Sequence, residues 1–351
     1  MTTIHKNEGF TMSELMVTTY SMWKLFCNCR KAFEYRYIKK LVPKEIDDNL
    51  FFGSVIHECL EIWHRKRKLE KVIKHLNQIY ANRARDDHKL SNWHLATAMM
   101  SSYSEQYPIE DFDVIALEKT FEGPIINPDT NAVSRSFVLA GKVDGLVQQD
   151  GQYFILEHKT ASQIDAGYLE RLWTDFQIII YAWYLEHTLG IRISGIIYNI
   201  LVKAKLRQIK GETEAEFESR RAELIAKSKT GKSSAKRKMP EPDDVFQQRL
   251  KDKYLEPVMF HREWIYISPN QFEQLQKELW ELSINLLDAI KRNKFYRNTS
   301  FCFKFNRPCP YFPICRSNES INIISNYYEI REPNEELKTK KEANYDSSTI
   351  N

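Results

Sequence analysis

The sequence has 351 residues, of which 42% are hydrophobic and 13% are aromatic, and its formal net charge at pH 7 is +4. This composition supports a folded chain with a sizeable buried core and excludes a disordered or collagen-like protein. No run of about 18 apolar residues occurs, and the start of the chain lacks a charged segment followed by an apolar one. We therefore expect neither a membrane span nor a signal peptide, and a cytoplasmic location.

Positive charge is concentrated in residues 203–253, which hold 15 Lys or Arg residues and 9 Asp or Glu residues. A charged helix is predicted over residues 212–225, and residues 227–238 contain no acid and several Ser and Gly residues. A mobile basic loop of this kind can neutralise phosphates, although a solvated run of charge without a partner is the commoner explanation. The basic insertion, residues 204–253, therefore supports nucleic-acid binding only weakly by itself.

Two helices are predicted ahead of the first long strand. Residues 17–41 carry aromatic side chains near helical spacing, and a second helix is expected to open at residue 53 with Ser54 as its N-cap. His57 lies off the apolar stripe of the second helix, where a histidine is usually exposed or paired with a neighbour, here Glu61. Residues 68–106 are predicted to be mostly polar helix, packing as a lid or an outer layer. The expected buried stripe of the second helix is Val55, Ile56, Cys59, Leu60 and Trp63.

The most informative stretch is residues 141–160, GKVDGLVQQDGQYFILEHKT. It follows a predicted strand over residues 114–121, and it combines two β-type runs, residues 137–147 and 153–158, with Asp150-Gly151 between them. That dipeptide supplies the positive φ angles of a tight turn, so the stretch is predicted to form a β-hairpin.

An acid and a lysine lie side by side on the second strand of this hairpin. Side chains alternate between the faces of a strand, so Glu157 and Lys159 share one face while His158 lies on the other. Pairing in the simplest register brings Asp144 of the first strand near Glu157. Two carboxylates at close range are costly unless a cation lies between them, and a divalent ion is the usual solution. The alternative is an ordinary ion pair between strands on the protein surface.

After the hairpin, the sequence predicts further helices and strands. A strongly apolar helix is expected over residues 167–189, in which Gln177 and Tyr181 share a face because they are four residues apart. A buried tyrosine with a hydrogen-bonded glutamine is the purely structural explanation of that pair. Strands are expected over residues 195–202 and 259–267, and a long helix over residues 269–293. The predicted fold class is α/β, with a mixed central sheet flanked by helices.

The cysteines fall into clustered and isolated positions. Cys302, Cys309 and Cys315 lie within fourteen residues that also contain three prolines, which excludes an ordinary packed helix. With a fourth thiol from Cys27 or Cys29, they would suit either a zinc ion or an iron-sulfur cluster. Cys59 is expected to be a core residue, and free core cysteines are the alternative for the cluster as well.

These motifs resemble the PD-(D/E)XK nucleases, and in particular their RecB/AddB-like branch. The resemblance is carried by Asp144 within GKVDG, by Glu157-His158-Lys159 within LEHKT, by the Gly53-x3-His57 spacing, and by the Q-x3-Y pair Gln177 and Tyr181. It extends to a cysteine followed by aromatics, Cys29-x3-Phe33-x3-Tyr37, although Arg30 replaces the proline of the family pattern. The order of the motifs matches the family along nearly the whole chain.

The resemblance implies that Asp144, Glu157, His57 and the backbone carbonyl of His158 bind Mg²⁺ or Mn²⁺, and that Lys159 orients the attacking water. It further implies a [4Fe-4S] cluster that joins the N-terminal and C-terminal segments, as in similar CRISPR-associated and phage exonucleases, with Zn²⁺ as the alternative. The implied cluster ligands are Cys29, Cys302, Cys309 and Cys315.

The implied activity is metal-dependent hydrolysis of DNA, as an exonuclease in recombination or repair, with a catalytically inactive DNA-binding or assembly protein as the alternative. The expected partners are DNA and a recombinase or single-strand annealing protein, in a bacterial or phage-infected cell. The residues expected to hold DNA are Gln177, Tyr181, Lys203, Lys205, Lys236, Arg237 and Lys238.

The expected organisation is one nuclease domain between two flexible ends. The ends are residues 1–16 and 331–351, and the domain spans residues 17–330. Its expected parts are a helical part (17–110), a catalytic core (111–203), the basic insertion (204–253) and a C-terminal helix with the cysteine segment (254–330).

Overall fold

The structure, a computed structural model, describes residues 15–45, 47–81, 87–304 and 307–337. The predicted flexible ends lie largely outside these residues. Where the second of them is described, it contacts the body of the protein: the Arg331 N–H donates to the Lys40 carbonyl at 2.9 Å, and the Asn334 amide donates to the Val17 carbonyl at 3.3 Å. No helix among the described residues is long and apolar enough to cross a membrane.

Groups of consecutive helices and groups of consecutive strands follow one another along the chain. The α-helices are α1 (Tyr20–Asn28), α2 (Arg30–Phe33), α3 (Asp48–Lys66), α4 (Leu69–Ala81), α5 (Asp87–Gln106), α6 (Ala166–Trp173), α7 (Phe176–Leu189), α8 (Glu214–Lys227), α9 (Asp243–Tyr254), α10 (Pro269–Lys291), α11 (Phe312–Arg316) and α12 (Ile321–Tyr327). The strands are β1 (Met16–Thr18), β2 (Leu41–Pro43), β3 (Asp113–Ile126), β4 (Val133–Gln149), β5 (Gln152–Ala161), β6 (Ile193–Val202), β7 (Phe260–Tyr266), β8 (Phe303–Lys304), β9 (Arg307–Pro308) and β10 (Tyr328–Ile330).

A mixed six-stranded sheet forms the centre of the fold. Strand β4 pairs along its length with β3, while on its other side its first half pairs in parallel with β1 and its end pairs with β5. Strand β5 is parallel to β6, and β7 closes that edge in antiparallel orientation. Asp150 and Gly151 have φ values of 50° and 76° at the turn between β4 and β5, which confirms the predicted hairpin.

Helices cover both faces of this sheet, which confirms the predicted α/β class. On one face, α1, α7 and α10 bury their apolar side chains against Phe137, Val143, Ile155 and Ile200 of the strands. On the other, α3, α4, α5 and α9 form a second core with the end of β6. Residues 68–106, predicted to be mostly polar, supply Val72, Leu76, Met99 and Tyr103 to that core.

The prediction of a single helix over residues 17–41 is wrong. The chain begins this segment as β1, and it leaves helical geometry at Cys29, whose φ of −161° and ψ of 108° are extended. It then continues through α2 and a wider helical turn, Glu34–Ile38, before β2. A distant residue contacts the chain at this break: Asn298 donates its side-chain amide to the Asn28 carbonyl at 2.8 Å.

Two further helix predictions are also corrected, one in its start and one in its continuity, and aspartate caps explain both. Helix α3 begins at Asp48, because the Asp47 carboxylate accepts the N–H groups of the first turn, and Ser54 lies inside the helix with its hydroxyl donating to the Phe51 carbonyl. The helix predicted over residues 167–189 is interrupted at Thr174, where Asp175 caps a new helix, α7.

The basic insertion contains two unlike helices. Helix α8 has no buried residue and starts with a capping box between Thr213 and Glu216. Helix α9, which the charged sequence did not predict, buries Phe246, Leu250 and Tyr254 against α5. The second half of the insertion is therefore part of the helical core.

Candidate active site

The turn between β4 and β5 sets two carboxylates beside each other. Gly145 lies opposite Leu156 in the antiparallel register, so the next position brings Asp144 to Glu157, as the sequence predicted. The backbone N–H of His158 donates to Asp144 Oδ2 at 2.7 Å, which fixes the carboxylate against the neighbouring strand. Glu157 is only 8% exposed, so the pair is not a surface feature.

Lys159 and Gln177 hold the Glu157 carboxylate from two sides. Lys159 Nζ lies 2.7 Å and Gln177 Nε2 3.1 Å from Glu157 Oε1, and Lys159 also donates to Gln177 Oε1 at 3.4 Å. Tyr181 lies one helical turn further along α7, where burial and the neighbouring Glu157 raise the pKa of its hydroxyl. Thus α7 delivers the predicted Gln177 and Tyr181 pair to the carboxylates.

His57 reaches the carboxylates from α3. Its Nδ1 lies 3.2 Å from Asp144 Oδ1, so the histidine faces Asp144 and not Glu61, which pairs with Arg65 at 2.8 Å. The apolar stripe of α3 is buried as predicted, and it orients the polar side of the helix toward β4 and β5.

Burial and neighbouring charges shift the four titratable groups of the site. Burial alone would raise the pKa of Asp144, but His57 and the His158 N–H hold it well below its ordinary value. Burial and the charge of Asp144 raise the pKa of Glu157, against the effect of Lys159. Despite burial, Asp144 raises the pKa of His57 and Glu157 raises that of Lys159. The contacts of Glu157 therefore do not fully offset the cost of ionising it in a buried position, and a further cation would lower its pKa.

A buried polar network lies behind β5, on the opposite face from Glu157. Asn199 Nδ2 donates to His158 Nδ1 and to the Tyr103 hydroxyl, both at 3.0 Å, and Arg262 donates to the same hydroxyl at 3.2 Å and to Glu110. Burial lowers the pKa of His158 to about 3, so its imidazole is neutral. Sequence analysis missed this network, although Asn199 within an apolar strand was a visible sign of a buried hydrogen bond.

The sequence of the chain fits one nuclease family along most of its length. Residues 18–316 match the model of the PD-(D/E)XK nuclease superfamily, and the match includes every residue described so far in this site. The chain belongs to this superfamily.

Other comparisons with known proteins give weaker similarity. A crystal structure from Eubacterium rectale, described as "Putative exonuclease", is 10% identical over 91% of this chain and 95% of its own, with a TM-score of 0.43. The crystal structure of SSO0001 is 12% identical over 75% of this chain and 84% of its own, with a TM-score of 0.25. No curated protein is significantly similar in sequence.

The donors of the site suit the divalent ions that PD-(D/E)XK nucleases generally use. Two carboxylates and an imidazole are an oxygen-rich set that fits Mg²⁺ or Mn²⁺, and a cation beside Glu157 would oppose the burial that raises its pKa. Within the described part of the chain, no three Cys, His, Asp or Glu side chains already stand as a closed set of ligands. His57 and Lys159 instead hold the carboxylate oxygens.

Four cysteines line one cavity of the nuclease chain at the end of α1. Cys29 enters it at the break between α1 and α2, and the other three come from the C-terminal segment: Cys302, Cys309 and Cys315. The Cys309 N–H donates to the Cys302 carbonyl at 2.8 Å, which closes the turn between two of the thiols. Cys27 is exposed and lies outside this lining, and Cys59 is buried in the helical core as expected.

Two of the four thiols have a raised pKa. Burial raises the pKa of Cys309 and Cys315, and the neighbouring thiols raise it further. A bound cation reverses that effect, because thiolates are the form that binds metal. Four thiols around one cavity therefore fit the donor sets of both a zinc ion and a [4Fe-4S] cluster.

The basic residues predicted to hold DNA differ in their surroundings. Lys203 donates to Asn92 Oδ1 at 2.9 Å and lies over the Phe52 ring, and Lys205 is 3.4 Å from Gln163 Oε1. Arg237 is engaged with α8, since it lies 2.9 Å from Glu214 Oε2 and donates to the Glu212 carbonyl. Two further predicted side chains of the insertion, those of Lys236 and Lys238, are exposed.

Proposed function

We propose that this chain is a divalent-metal-dependent deoxyribonuclease that hydrolyses phosphodiester bonds as an exonuclease. The observation that carries the proposal is the convergence of Asp144, Glu157, Lys159 and His57 at the β4–β5 hairpin. Action at DNA ends, in recombination or repair, follows the resemblance of its motifs to the RecB/AddB-like branch.

The carboxylates of Asp144 and Glu157, with His57 and the backbone carbonyl of His158, would hold one or two Mg²⁺ or Mn²⁺ ions. Such an ion polarises the scissile phosphate and lowers the pKa of the attacking water. The His158 side chain takes no part in this set, because Asn199 holds it on the other face of the strand. Neutral His57 is the form that would serve as a ligand.

Lys159 and α7 would complete the reaction site. The Lys159 ammonium, which contacts Glu157 and Gln177, would orient the water and offset negative charge that develops on the phosphate. Gln177 and Tyr181 would hold the DNA strand beside the carboxylates. The phosphates of the bound DNA would be contacted by four lysines: Lys203, Lys205, Lys236 and Lys238. Arg237 would contribute indirectly, by fixing the basic loop to α8.

The cysteine cavity would hold a [4Fe-4S] cluster with a structural role, since hydrolysis of a phosphodiester transfers no electron. Zinc is the alternative occupant. The two differ in colour, because a [4Fe-4S] protein absorbs broadly in the visible range and a zinc protein does not.

An inactive DNA-binding or assembly protein on the same fold is the second candidate function. Loss of activity on an inherited fold is common, and a basic insertion suits both functions. The complete set of Asp144, Glu157 and Lys159 favours the enzyme, because an inactive descendant has no need to keep them paired and buried. A recombinase or a single-strand annealing protein would be a suitable partner for either, in a bacterial or phage-infected cell.

The test is degradation of linear DNA by anaerobically purified protein. Single- and double-stranded DNA labelled at either end is incubated with and without Mn²⁺, beside a Glu157→Gln variant of nearly the same shape. Metal-dependent release of label that falls at least about 100-fold in the variant is the expected result. Bound but uncut DNA in every condition would favour the second candidate function.

A further inference from the structure

The first turn of α7 is tied to the start of α1 by one hydrogen bond across the fold. The Tyr20 hydroxyl donates to Asp175 Oδ1 at 2.6 Å, although the two residues are 155 positions apart. The same oxygen accepts the N–H of Gln177 at 3.2 Å, because Asp175 is the N-cap of α7. One carboxylate oxygen therefore joins Tyr20 to the backbone that carries Gln177.

Gln177 connects the Tyr20–Asp175 hydrogen bond to the candidate active site. Its side-chain amide donates to Glu157 and accepts from Lys159, so it contacts both charged groups of the ion pair. A shift in the first turn of α7 would move this amide and, with it, the ammonium expected to face the phosphate. Sub-ångström placement of such groups matters, since a 1 Å error can cost on the order of 100-fold in rate.

Tyr20 is itself held firmly from two sides. It follows β1, which pairs with β4 and is fixed by the Thr18 hydroxyl donating to the Val138 carbonyl at 2.7 Å. Tyr20 is also the first residue of α1. The other end of α1 is bound to the cysteine segment by a hydrogen bond from the Asn298 side-chain amide to the Asn28 carbonyl. Trp23 and Phe26 of α1 are buried in the same core as α7. The hydroxyl of Tyr20 is therefore a fixed point and not a mobile surface group.

We propose that Tyr20 and Asp175 are positioning residues for DNA hydrolysis, which hold Gln177, and through it Glu157 and Lys159, in productive geometry. Neither residue needs to touch the DNA or the metal. The inference rests on the proposed nuclease function, and it assigns to the N-terminal segment a role in catalysis besides the contribution of Cys29 to the cysteine cavity.

The test compares two Tyr→Phe changes that each remove one hydroxyl next to the same helix. Tyr20→Phe removes the hydrogen bond to Asp175. Tyr184→Phe, on α7, removes a hydrogen bond of 3.0 Å from the Tyr184 hydroxyl to the Pro124 carbonyl of β3. We expect Tyr20→Phe to lower kcat at least about 10-fold with KM for DNA changed less than about 2-fold, and Tyr184→Phe to keep kcat.

A second comparison uses Asp175. Asparagine is as good an N-cap and keeps an acceptor oxygen for Tyr20, whereas alanine provides neither. Asp175→Asn should therefore restore most of the kcat that Asp175→Ala loses, and the Tyr20→Phe/Asp175→Ala double variant should be no slower than Asp175→Ala. If Asp175→Ala fails to fold, the two Tyr→Phe variants decide.

Wild-type kcat in Tyr20→Phe, or equal losses in Tyr20→Phe and Tyr184→Phe, would overturn the inference while the wild-type enzyme still cleaves DNA. A wild-type chain that cleaves no substrate would overturn the proposed function and this inference together.

Discussion

The surroundings of the two hairpin carboxylates shift their pKa values in opposite directions. Asp144 accepts a backbone N–H and faces His57, so its pKa is lowered, whereas burial and Asp144 itself raise the pKa of Glu157. Asp144 is thus the permanently charged member of the pair. Glu157 depends on Lys159, or on a metal ion, to stay ionised in its buried position.

Removing the charge of Lys159 should therefore damage the reaction strongly. Lys159→Met keeps most of the length of the side chain but loses the ammonium that pairs with Glu157. We expect kcat to fall about 100-fold, because stabilisation of developing charge is lost. Rates with Mn²⁺ on end-labelled DNA measure the effect. The matched control is Lys40→Met, which removes an exposed pair with Glu332, and comparable rates in the two variants would contradict the role.

The sequence predicted these residues because the information is local. Alternation along β5 and the Asp150-Gly151 turn fix which side chains meet across the hairpin, whatever the rest of the chain does. The network of Asn199 with Tyr103 could not be found in the same way, because its members are 96 positions apart and meet only after the sheet and α5 have packed.

At the scale of elements, the predicted strands are present and three helices needed correction. Apolar periodicity continues through Cys29 and through Thr174 and conceals both breaks, although Asp175 is a recognisable helix cap. Distant partners contact both breaks: Asn298 donates to the Asn28 carbonyl at the first, and Tyr20 donates to the Asp175 cap at the second. Local propensity is a weak guide where a distant hydrogen bond competes for the backbone.

The contact between α5 and α9 should make the stability of the fold sensitive to acid. Gln247 of α9 donates to His94 Nδ1 at 2.6 Å and to the His94 carbonyl, and burial lowers the pKa of His94 although Asp243, 3.7 Å away, opposes it. The unfolded chain binds a proton at His94 near its ordinary pKa of about 6.5, while the folded chain binds it only at lower pH, so stability falls as the pH drops below that value.

His94→Gln should reduce this acid sensitivity, because its carbonyl oxygen can accept from Gln247 and does not titrate. The measurement is the urea midpoint at several pH values between 7 and 5, where His94 contributes at most about 1.4 kcal/mol for each pH unit. Some acid sensitivity should remain from other buried histidines such as His158. Identical pH dependence in wild type and variant would contradict the assignment.

On the scale of the whole molecule, the two ends of the described chain are joined beside the sheet. Strand β10 pairs with β2, and the Tyr311 hydroxyl donates to the Leu41 carbonyl at 2.9 Å. The cysteine cavity lies in the same junction, between Cys29 and the C-terminal thiols. An occupant bound by all four thiols would therefore clamp this junction.

Metal content distinguishes the two candidate fourth thiols. Cys29→Ser and Cys309→Ser should lose the bound group, about four iron atoms per chain for a [4Fe-4S] cluster, and should unfold at lower temperature. Cys27→Ser is the control, because Cys27 is exposed outside the cavity. Iron and zinc assays with visible absorption measure the outcome, and loss of metal in Cys27→Ser with retention in Cys29→Ser would reverse the assignment.

The insertion should contribute to DNA binding mainly through its exposed lysines. Replacing Lys232, Lys236 and Lys238 by Gln should reduce the slope of log Kd against log salt by about 0.7 for each phosphate of single-stranded DNA that the variant no longer neutralises. Replacing Lys277 and Lys291 on α10 is the control and should leave the slope unchanged. An unaltered slope in the triple variant would show that the insertion does not hold DNA.

The most direct measurement is Mn²⁺ binding, because the proposed mechanism requires the hairpin carboxylates to form a metal centre. Calorimetric titration of wild type and Asp144→Asn is compared with Asp129→Asn, which changes an exposed carboxylate in the turn between β3 and β4. We expect wild type and Asp129→Asn to bind about one or two ions alike and Asp144→Asn to bind at least about 10-fold more weakly. Wild-type affinity in Asp144→Asn would contradict the proposed metal centre.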